Sequence, residues 1–357
     1  MKSFKKIIAL ILAVLMTAAL ASCTNSDTEN GTTPASPDNL SAKTYKVGIC
    51  NYVDDASLNQ IVDNIKAQLE SIGKDKNVTF KIEYDNCNGD KNILSQIITN
   101  FIADKVDLMV GVATPVAMAM QAETEENKIP VVFAAVSNPT NEKAKLVDSL
   151  EKPGANITGT SDFLNTNAIL DIMLAQNPDT KKVALLYDVG QDSSEAPIAA
   201  AKAYFEKKGI SYKEYTGTTV DEVRFAAQSA VLDKVDAVFT PTDNTIMKSQ
   251  LSIYETFAEA KIPHYAGADS FALNGAFMGY GVDYANLGKE TADMVADILI
   301  NNKNPGEVPV KTFDNGTATV NTDICKELGL DYDTVAKTIA PYCTKVQPIK
   351  TAEDFEK

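Results

Sequence analysis

The stretch Lys-Val-Asp-Ala-Val-Phe-Thr-Pro-Thr-Asp-Asn-Thr-Ile at residues 234–246 is the most informative part of the sequence. Its first half is a short apolar run rich in β-branched and aromatic residues, which predicts a buried strand. Its second half becomes polar at Thr240 and leads into a helical pattern, as at the end of a parallel strand. Residues 105–117 repeat this construction with Lys-Val-Asp, an apolar strand and a Thr-Pro step. Ligands bind beyond the carboxyl ends of such strands, so two copies predict two similar domains that face each other across a cleft.

The chain from Tyr45 onward alternates between strand and helix patterns. Because repeated β–α units require a parallel sheet covered on both faces, the sequence predicts an α/β protein with two Rossmann-like (flavodoxin-like) lobes. The predicted strands are residues 46–50, 79–84, 108–112, 130–134, 156–160, 182–187, 211–215, 237–240 and 263–268. The predicted helices are residues 58–72, 91–104, 115–125, 165–175, 196–208, 220–232 and 248–260. The tail is predicted as a strand at 276–282, a helix at 287–300, extended pieces at 308–313 and 318–321, and a helix at 322–328.

Residues 1–22 are predicted to be a signal peptide outside the fold. Three lysines precede an apolar run that is too short to span a bilayer, which needs about 20 residues. The sequence Leu-Ala-Ser-Cys at residues 20–23 resembles the bacterial lipobox, which implies cleavage before Cys23 and lipidation of that residue. Residues 23–43 are polar and predict a disordered tether. We therefore expect an exported chain, anchored to the outer face of the bacterial cell membrane; an ordinary secretory peptide is the alternative.

Composition excludes several classes of function. The net charge of −15 argues against binding to nucleic acid or to a membrane through a polybasic surface. Arg224 is the only arginine, so bidentate arginine clamps for phosphate or carboxylate are absent. With His264 as the only histidine and no Cys-x-x-Cys, no metal site is expected. The chain has neither a Gly-x-Ser-x-Gly elbow nor a phosphate-binding glycine loop, so we expect neither an enzyme nor a nucleotide cofactor.

Four cysteines follow Cys23, and an exported protein can keep disulfides. Cys50 and Cys87 each come at the end of a predicted strand, and the two strands are neighbours in a flavodoxin-like order. A Cys50–Cys87 bridge and a Cys325–Cys343 bridge are both compatible with the sequence. The spacing decides for neither, so both pairings stay open.

Six segments between Tyr45 and about Leu330 carry a resemblance to a known family. They are Val-Gly-Ile at residues 47–49, Val-Ala-Thr-Pro at 112–115, Pro-Val-Val-Phe at 130–133, Asn-Ile-Thr-Gly-Thr-Ser-Asp at 156–162, Pro-Thr-Asp-Asn-Thr at 241–245 and Gly-Val-Asp-Tyr at 281–284. With the lipobox and the tether, they resemble ABC-transporter substrate-binding lipoproteins of the type I periplasmic-binding fold. The chain is most similar to the TrpX-like branch, whose described members bind aromatic amino acids. It departs from that pattern at Asp54-Asp55 and at Tyr187-Asp188.

The resemblance implies a ligand caught between two lobes that are joined by a three-strand hinge near Thr160, Asp283 and Asp314. Lobe 1 would comprise residues 44–160 plus 284–313, and lobe 2 residues 161–283 plus 314–350. It also implies a monomer without cofactor, whose partners are an ABC permease and its ATPase.

Eight residues at the predicted strand ends are the candidate ligand contacts. They are Tyr52, Thr114, Ser137, Asp162, Asp188, Thr242, Asn244 and Asp283. Hydroxyls and helix N-terminal amides at Thr114 and Ser137 would hold the carboxylate of an amino acid. A carboxylate would hold the ammonium group, with Asp283 as first choice, then Asp162 and Asp188.

The remaining candidates have less specific roles. Thr242 and Asn244 would add polar contacts, and Tyr52 would stack on a ring or line the rim. Ordinary structural roles are the alternatives for these positions. Asn244, or Asp243 beside it, could cap a helix, and Asp283 and Ser137 could be turn residues. Tyr52 and Tyr284 could be packing residues.

These features together predict the solute-binding lipoprotein of an ABC importer. Its ligand is expected to be an amino acid, with aromatic ones such as tryptophan, tyrosine or phenylalanine favoured. The alternatives are a tethered sensor that reports a ligand to a membrane receptor, a binder of another small organic solute, and a structural surface lipoprotein with no ligand.

Overall fold

A computed structural model describes residues 43–142, 144–313 and 315–352 of the chain. The predicted signal peptide, the lipidation residue Cys23, nearly all of the predicted tether and the predicted hinge residue Asp314 lie outside these residues.

Five parallel strands form the first sheet, in the order β2-β1-β3-β4-β5. They are β1 (Lys43–Asn51), β2 (Val78–Asn86), β3 (Leu108–Val112), β4 (Val131–Ala134) and β5 (Ile157–Gly159). The helices that connect the first four are α1 (Ala56–Lys76), α2 (Lys91–Ala103) and α3 (Thr114–Glu123). Every residue of β3 and β4 is buried, as expected of strands covered by helices on both faces.

Seven strands form the second sheet, in the order β12-β11-β10-β9-β8-β6-β7, and only the β10–β11 pairing is antiparallel among those described. Its strands are β6 (Lys182–Tyr187), β7 (Ser211–Thr216), β8 (Ala237–Thr240), β9 (His264–Ala266), β10 (Met278–Gly281), β11 (Thr317–Asn321) and β12 (Lys345–Ile349). Its helices are α4 (Thr166–Gln176), α5 (Asp192–Lys208), α6 (Val220–Leu232), α7 (Asn244–Ser249), α8 (Tyr254–Glu259) and α9 (Asp269–Leu273), and, towards the end of the chain, α11 (Thr322–Glu327) and α12 (Tyr332–Ile339). The helix α10 (Tyr284–Asn301) returns to the first sheet, where it packs on α1 and β4. The predicted fold of two α/β lobes with parallel sheets is confirmed, and we keep the predicted lobe boundaries as working definitions.

Two predicted elements differ in the structure. The single helix predicted at residues 248–260 is divided into α7, a 3-10 turn and α8. Two serine hydroxyls bond to backbone carbonyls at this break: Ser249 to Thr245 at 2.8 Å and Ser252 to Ser249 at 2.6 Å. Such bonds compete with regular helix geometry. The extended piece predicted at residues 308–313 makes only a bridge between Lys311 and Thr160, because Pro309 has no N–H to donate to a ladder.

The end of the chain contains more structure than the sequence indicates. The helix α12 and the strand β12 were not predicted, and β12 adds a parallel edge beside β11. Within residues 43–352, Lys143 and Asp314 excepted, no helix is both long and apolar enough to cross a bilayer. Cys50, Cys87, Cys325 and Cys343 are all free thiols.

The core of the second lobe supplies a test of the packing. Phe239 in β8 is fully buried, whereas Phe225 in α6 leaves 68% of its surface exposed. We expect Phe239→Ala to lower the free energy of unfolding by about 3–5 kcal/mol, because it removes buried apolar area and leaves a cavity. The matched control Phe225→Ala should change it by no more than about 0.5 kcal/mol. Urea unfolding of both variants measures the difference, and equal effects would contradict the described packing.

Candidate ligand-binding site

A small cavity lies where strand ends of the two sheets meet. The first sheet contributes the segments that follow β1, β3, β4 and β5, and the second sheet those that follow β6, β8, β9 and β10. The lining residues are Asp55, Ser57, Leu58, Ala113, Thr114, Ala135, Ser137, Asp162, Ser193, Thr242, Asp243, Asn244, Met247, Ala268, Ser270, Phe271 and Tyr284.

Three buried carboxylates line this cavity, and two of them, Asp55 and Asp162, have few hydrogen-bond partners. Asp55 accepts a hydrogen bond from the Leu58 amide on Oδ1 (3.0 Å), but its Oδ2 meets no partner in the described part of the chain. Asp162 accepts one from the Ser137 hydroxyl (2.9 Å). Burial raises the pKa of each carboxyl from 3.8 to about 6. No Lys, Arg or His belongs to the lining among the residues that the structure describes, so a cationic group of a ligand would be stabilised here.

The N-terminus of α3 gives the same cavity a site for negative charge. The residue before the helix, Ala113, has φ 77° and ψ 154° and makes no side-chain cap. The amide of Ala117 donates the first bond of the helix, to the Ala113 carbonyl at 3.2 Å. Pro115 has no N–H, so the amides of Thr114 and Val116 precede that first bond. Free amides at a helix N-terminus bind anions, and Thr114 itself lines the cavity.

Hydrogen bonds cross the cleft between the two lobes and close the cavity. The Ser57 hydroxyl donates to Asp269 Oδ1 at 2.6 Å, and the Ser270 amide donates to the Ser57 hydroxyl at 3.3 Å. A second contact joins the Ser137 and Thr242 hydroxyls at 3.1 Å. Because these bonds link loops of the first sheet to loops of the second, the described conformation is a closed one.

Five of the eight predicted contacts come together in this cavity. They are Thr114, Ser137, Asp162, Thr242 and Asn244. The Asn244 amide side chain donates to Gln191 Oε1 at 3.1 Å. Asp243 beside it is the cap that the sequence left as an alternative, since its Oδ1 accepts from the Thr245 and Ile246 amides, each at 3.0 Å.

Tyr52 and Asp188 lie at an outer cavity that shares Asn244 with the inner one. The Asp188 carboxylate is occupied within the second lobe, because it accepts from the Gly190 amide of its own loop (2.7 Å) and from the Thr245 hydroxyl of α7 (2.6 Å). Burial raises the pKa of the Tyr52 hydroxyl, and a hydrogen bond with Gln191 opposes that shift. These two residues are therefore placed at the mouth of the cleft.

Asp283 is not brought to the cavity. Its side chain is exposed and caps α10 by accepting from the Asn286 amide at 3.0 Å. This geometry fits the alternative of a turn residue, and it moves the role of ammonium acceptor from Asp283 to the buried carboxylates.

Sequence reasoning missed several lining residues: Asp55, Ser57, Leu58, Ser193, Met247, Ala268, Ser270 and Phe271. The signal for Asp55 was its position directly after the first strand, as part of the Asp54-Asp55 departure. Tyr284 is fully buried, and burial together with Asp162, Asp269 and Asp55 raises the pKa of its hydroxyl. Over the described ranges, no group of three or more His, Cys, Asp and Glu is arranged to hold a metal ion.

Comparison with known proteins gives the family. A profile of ABC transporter substrate binding proteins matches residues 46–341. A tyrosine-binding protein of Clostridioides difficile strain R20291 is 32% identical over 330 residues, which cover 91% of this chain and 93% of that protein. The chain belongs to the ABC transporter substrate-binding proteins and, within them, to the TrpX-like branch, as its sequence predicted. Proteins of this family bind solutes outside the cytoplasm and are not enzymes.

Two solved structures show how similar the fold is. An ABC domain of Streptococcus pneumoniae in complex with L-Trp is 29% identical, with a TM-score of 0.77 over 85% of this chain and 100% of that one. A ligand-free, open substrate-binding protein with adhesive properties from Clostridium difficile is 31% identical, with a TM-score of 0.65 over 86% of this chain and 100% of that one. At nearly equal identity, the closed lobes described here resemble the ligand-bound structure more than the open one.

The unpaired charge on Asp55 leads to a stability prediction. Asp55→Asn keeps the Oδ1 cap and removes the buried charge. Since burial raises the folded-state pKa from 3.8 to about 6, the carboxylate destabilises the fold progressively as pH rises from about 4 to about 6, and in full above that. We expect the variant to gain up to about 3 kcal/mol in free energy of unfolding at about pH 7.5, with no gain below about pH 4, where the carboxyl is protonated in both states.

Asp283→Asn is the matched control, because Asp283 caps its helix through Oδ1 in the same way but is exposed. Its free energy of unfolding should change by less than about 0.5 kcal/mol at both pH values. Denaturant unfolding at both pH values measures the two variants. Equal effects, or a destabilised Asp55→Asn, would show that the charge of Asp55 is already compensated.

Proposed function

We propose that this chain captures an amino acid between its closing lobes and delivers it to an ABC importer. The observation that carries this proposal is the pairing, in one cavity, of a helix N-terminus with buried carboxylates that lack a counter-charge. An amino acid zwitterion offers both complements. Its carboxylate would accept from the α3 amides and the Thr114 hydroxyl, and its ammonium group would donate to Asp162 and Asp55.

Aromatic amino acids are the favoured ligands. Leu58, Met247 and Phe271 supply the large apolar side chains of the lining, and methionine sulfur and phenylalanine both make favourable contacts with aromatic rings. The relatives agree with this choice, since one is a tyrosine-binding protein and another was solved in complex with L-Trp. Tyrosine, tryptophan and phenylalanine are thus the first ligands to test.

Ligand-induced stabilisation tests the proposal. Thermal-shift and calorimetric titration of the purified chain against all amino acids should identify an aromatic ligand. At 100 times its dissociation constant, the ligand should add about 2.7 kcal/mol to the free energy of unfolding. Asp162→Asn should weaken its affinity at least about 30-fold, because loss of a buried charged partner costs about 2–5 kcal/mol.

Asp283→Asn serves again as control and should bind like the unmodified chain. If no amino acid stabilises the chain, the ligand belongs to another class of small organic solute. If Asp162→Asn and Asp283→Asn bind equally well, the ammonium group is not held where we place it.

We further propose that the chain is a lipoprotein anchored through Cys23. Support comes from the basic, apolar and small-residue segments that precede this cysteine. The family also binds its solutes outside the cytoplasm. The polar tether would let the monomeric folded body move while it stays anchored, and so reach the ABC permease that works with its ATPase.

Labelling with a fatty acid tests this anchor. We expect Cys23→Ser to lose the incorporated lipid and to leave the membrane fraction, because the hydroxyl cannot replace the thiol that receives the lipid. Cys343→Ser changes a half-buried cysteine of the folded body and should keep label and fractionation unchanged. Equal labelling of both variants would refute lipidation at Cys23.

A further inference from the structure

Two buried thiols lie side by side at the rim of the ligand cleft. Cys50 is the last but one residue of β1, and Cys87 follows the last residue of β2. The β1–β2 register pairs Asn51 with Asn86, which brings Cys87 to the end of β1. Both cysteines are 0% exposed. The pair belongs to the first lobe and takes no part in the cavity lining.

The contacts of the two thiols converge on the same short piece of backbone. The Cys50 thiol donates to the Asn51 carbonyl at 3.6 Å, and the Cys87 amide donates to that same carbonyl at 3.0 Å. The Cys87 thiol donates to the next carbonyl, that of Tyr52, at 3.3 Å. The two side chains therefore lie against adjacent backbone carbonyls at the end of β1.

We propose that Cys50 and Cys87 are a disulfide-forming site, and that their oxidation in the exported chain fixes the rim of the ligand cleft. The inference rests on the proposed export, because disulfides persist in oxidising compartments. The Gly89 amide donates to the Tyr52 carbonyl at 2.8 Å, and Tyr52, Asn88 and Gly89 all line the outer cavity. A bond between the two cysteines covalently joins the end of β1, two residues before Tyr52, to the turn at residues 87–90.

The oxidation proceeds by exchange with a disulfide of the oxidising compartment, such as that of a thiol oxidoreductase. The Cys87 thiolate attacks one sulfur of that disulfide, forms a mixed disulfide and releases the first thiol. The Cys50 thiolate then attacks Cys87 Sγ and releases the second thiol, so two protein thiols are oxidised while one external disulfide is reduced. The order of the two cysteines can also be reversed, because the exchange takes place before their folded-state contacts form. Both thiols are buried in the folded chain, so exchange precedes the packing of the 87–90 turn.

Mass spectrometry of the full chain, taken from an exporting host and alkylated without prior reduction, tests the site. We expect a peptide containing Cys50 to be linked to one containing Cys87, while Cys325 and Cys343 carry the alkyl label. Alkylation of both Cys50 and Cys87, or a bridge to another cysteine, overturns the proposal. If the chain still carries the predicted signal peptide at residues 1–22, it has not been exported. In that case, unfolding and refolding of the purified chain with oxidised glutathione must produce the same link.

Thermal unfolding with and without dithiothreitol gives an independent readout. Reduction should lower the midpoint of the unmodified chain by about 5–10 °C, because the bond restricts the unfolded state. Cys50→Ala and Cys87→Ala should each be insensitive to the reductant, whereas Cys343→Ala should keep the full shift. A shift of equal size in all of these variants excludes the Cys50–Cys87 bond, whatever ligand the chain binds.

Discussion

The closed cavity contains buried carboxylates without a buried cation, and this shortage of positive charge governs the rest of the site. Desolvation raises the pKa of Asp55 and Asp162, and Asp269 adds like-charge repulsion to Asp55. Asp55 belongs to the first lobe and Asp269 to the second, so closing the lobes brings their charges together. A closed empty cleft is therefore electrostatically unfavourable, and a ligand with an ammonium group favours closure because it binds the closed state better than the open one.

The contrast between Asp55 and Asp243 shows how partners decide the role of a buried carboxylate. Burial raises the pKa of both to about 6. Asp243 nevertheless receives bonds from the Asp188, Thr245 and Ile246 amides and the Ser194 hydroxyl, so its charge is spread over fixed donors. It holds the loop after β8 in place. Asp55 receives one direct hydrogen bond, from the Leu58 amide, and its Oδ2 has no partner at hydrogen-bond distance among the described residues. The nearby Ser270 hydroxyl and Ser57 amide offset the rise in its pKa only in part, so this carboxylate is available to a ligand.

The sequence was sufficient for the fold and for part of the site. Apolar strands that end in polar residues identify the sheet edge, and residues such as Thr114 and Thr242 follow those strands directly. Asp283 occupies the same kind of position after β10, but it begins α10 at the protein surface. Whether a residue after a strand caps a helix or faces the cleft depends on the direction of its side chain. Ser57 and Ser270 could not be recognised either, because they meet only when the lobes close, and no local pattern encodes that contact.

The charge of the cavity also restricts the chemistry of the ligand. A dianion or a free phosphate would meet Asp55 and Asp162 with no Lys, Arg or His in the described lining to offset the repulsion, and a neutral sugar would leave the Asp55 oxygen without a cation. A simple cation would satisfy the carboxylates but would leave the amides at the start of α3 without an acceptor. A zwitterion alone among these classes compensates both ends while adding no net charge. The apolar surface of Leu58, Met247 and Phe271 then selects among amino acids by their side chains.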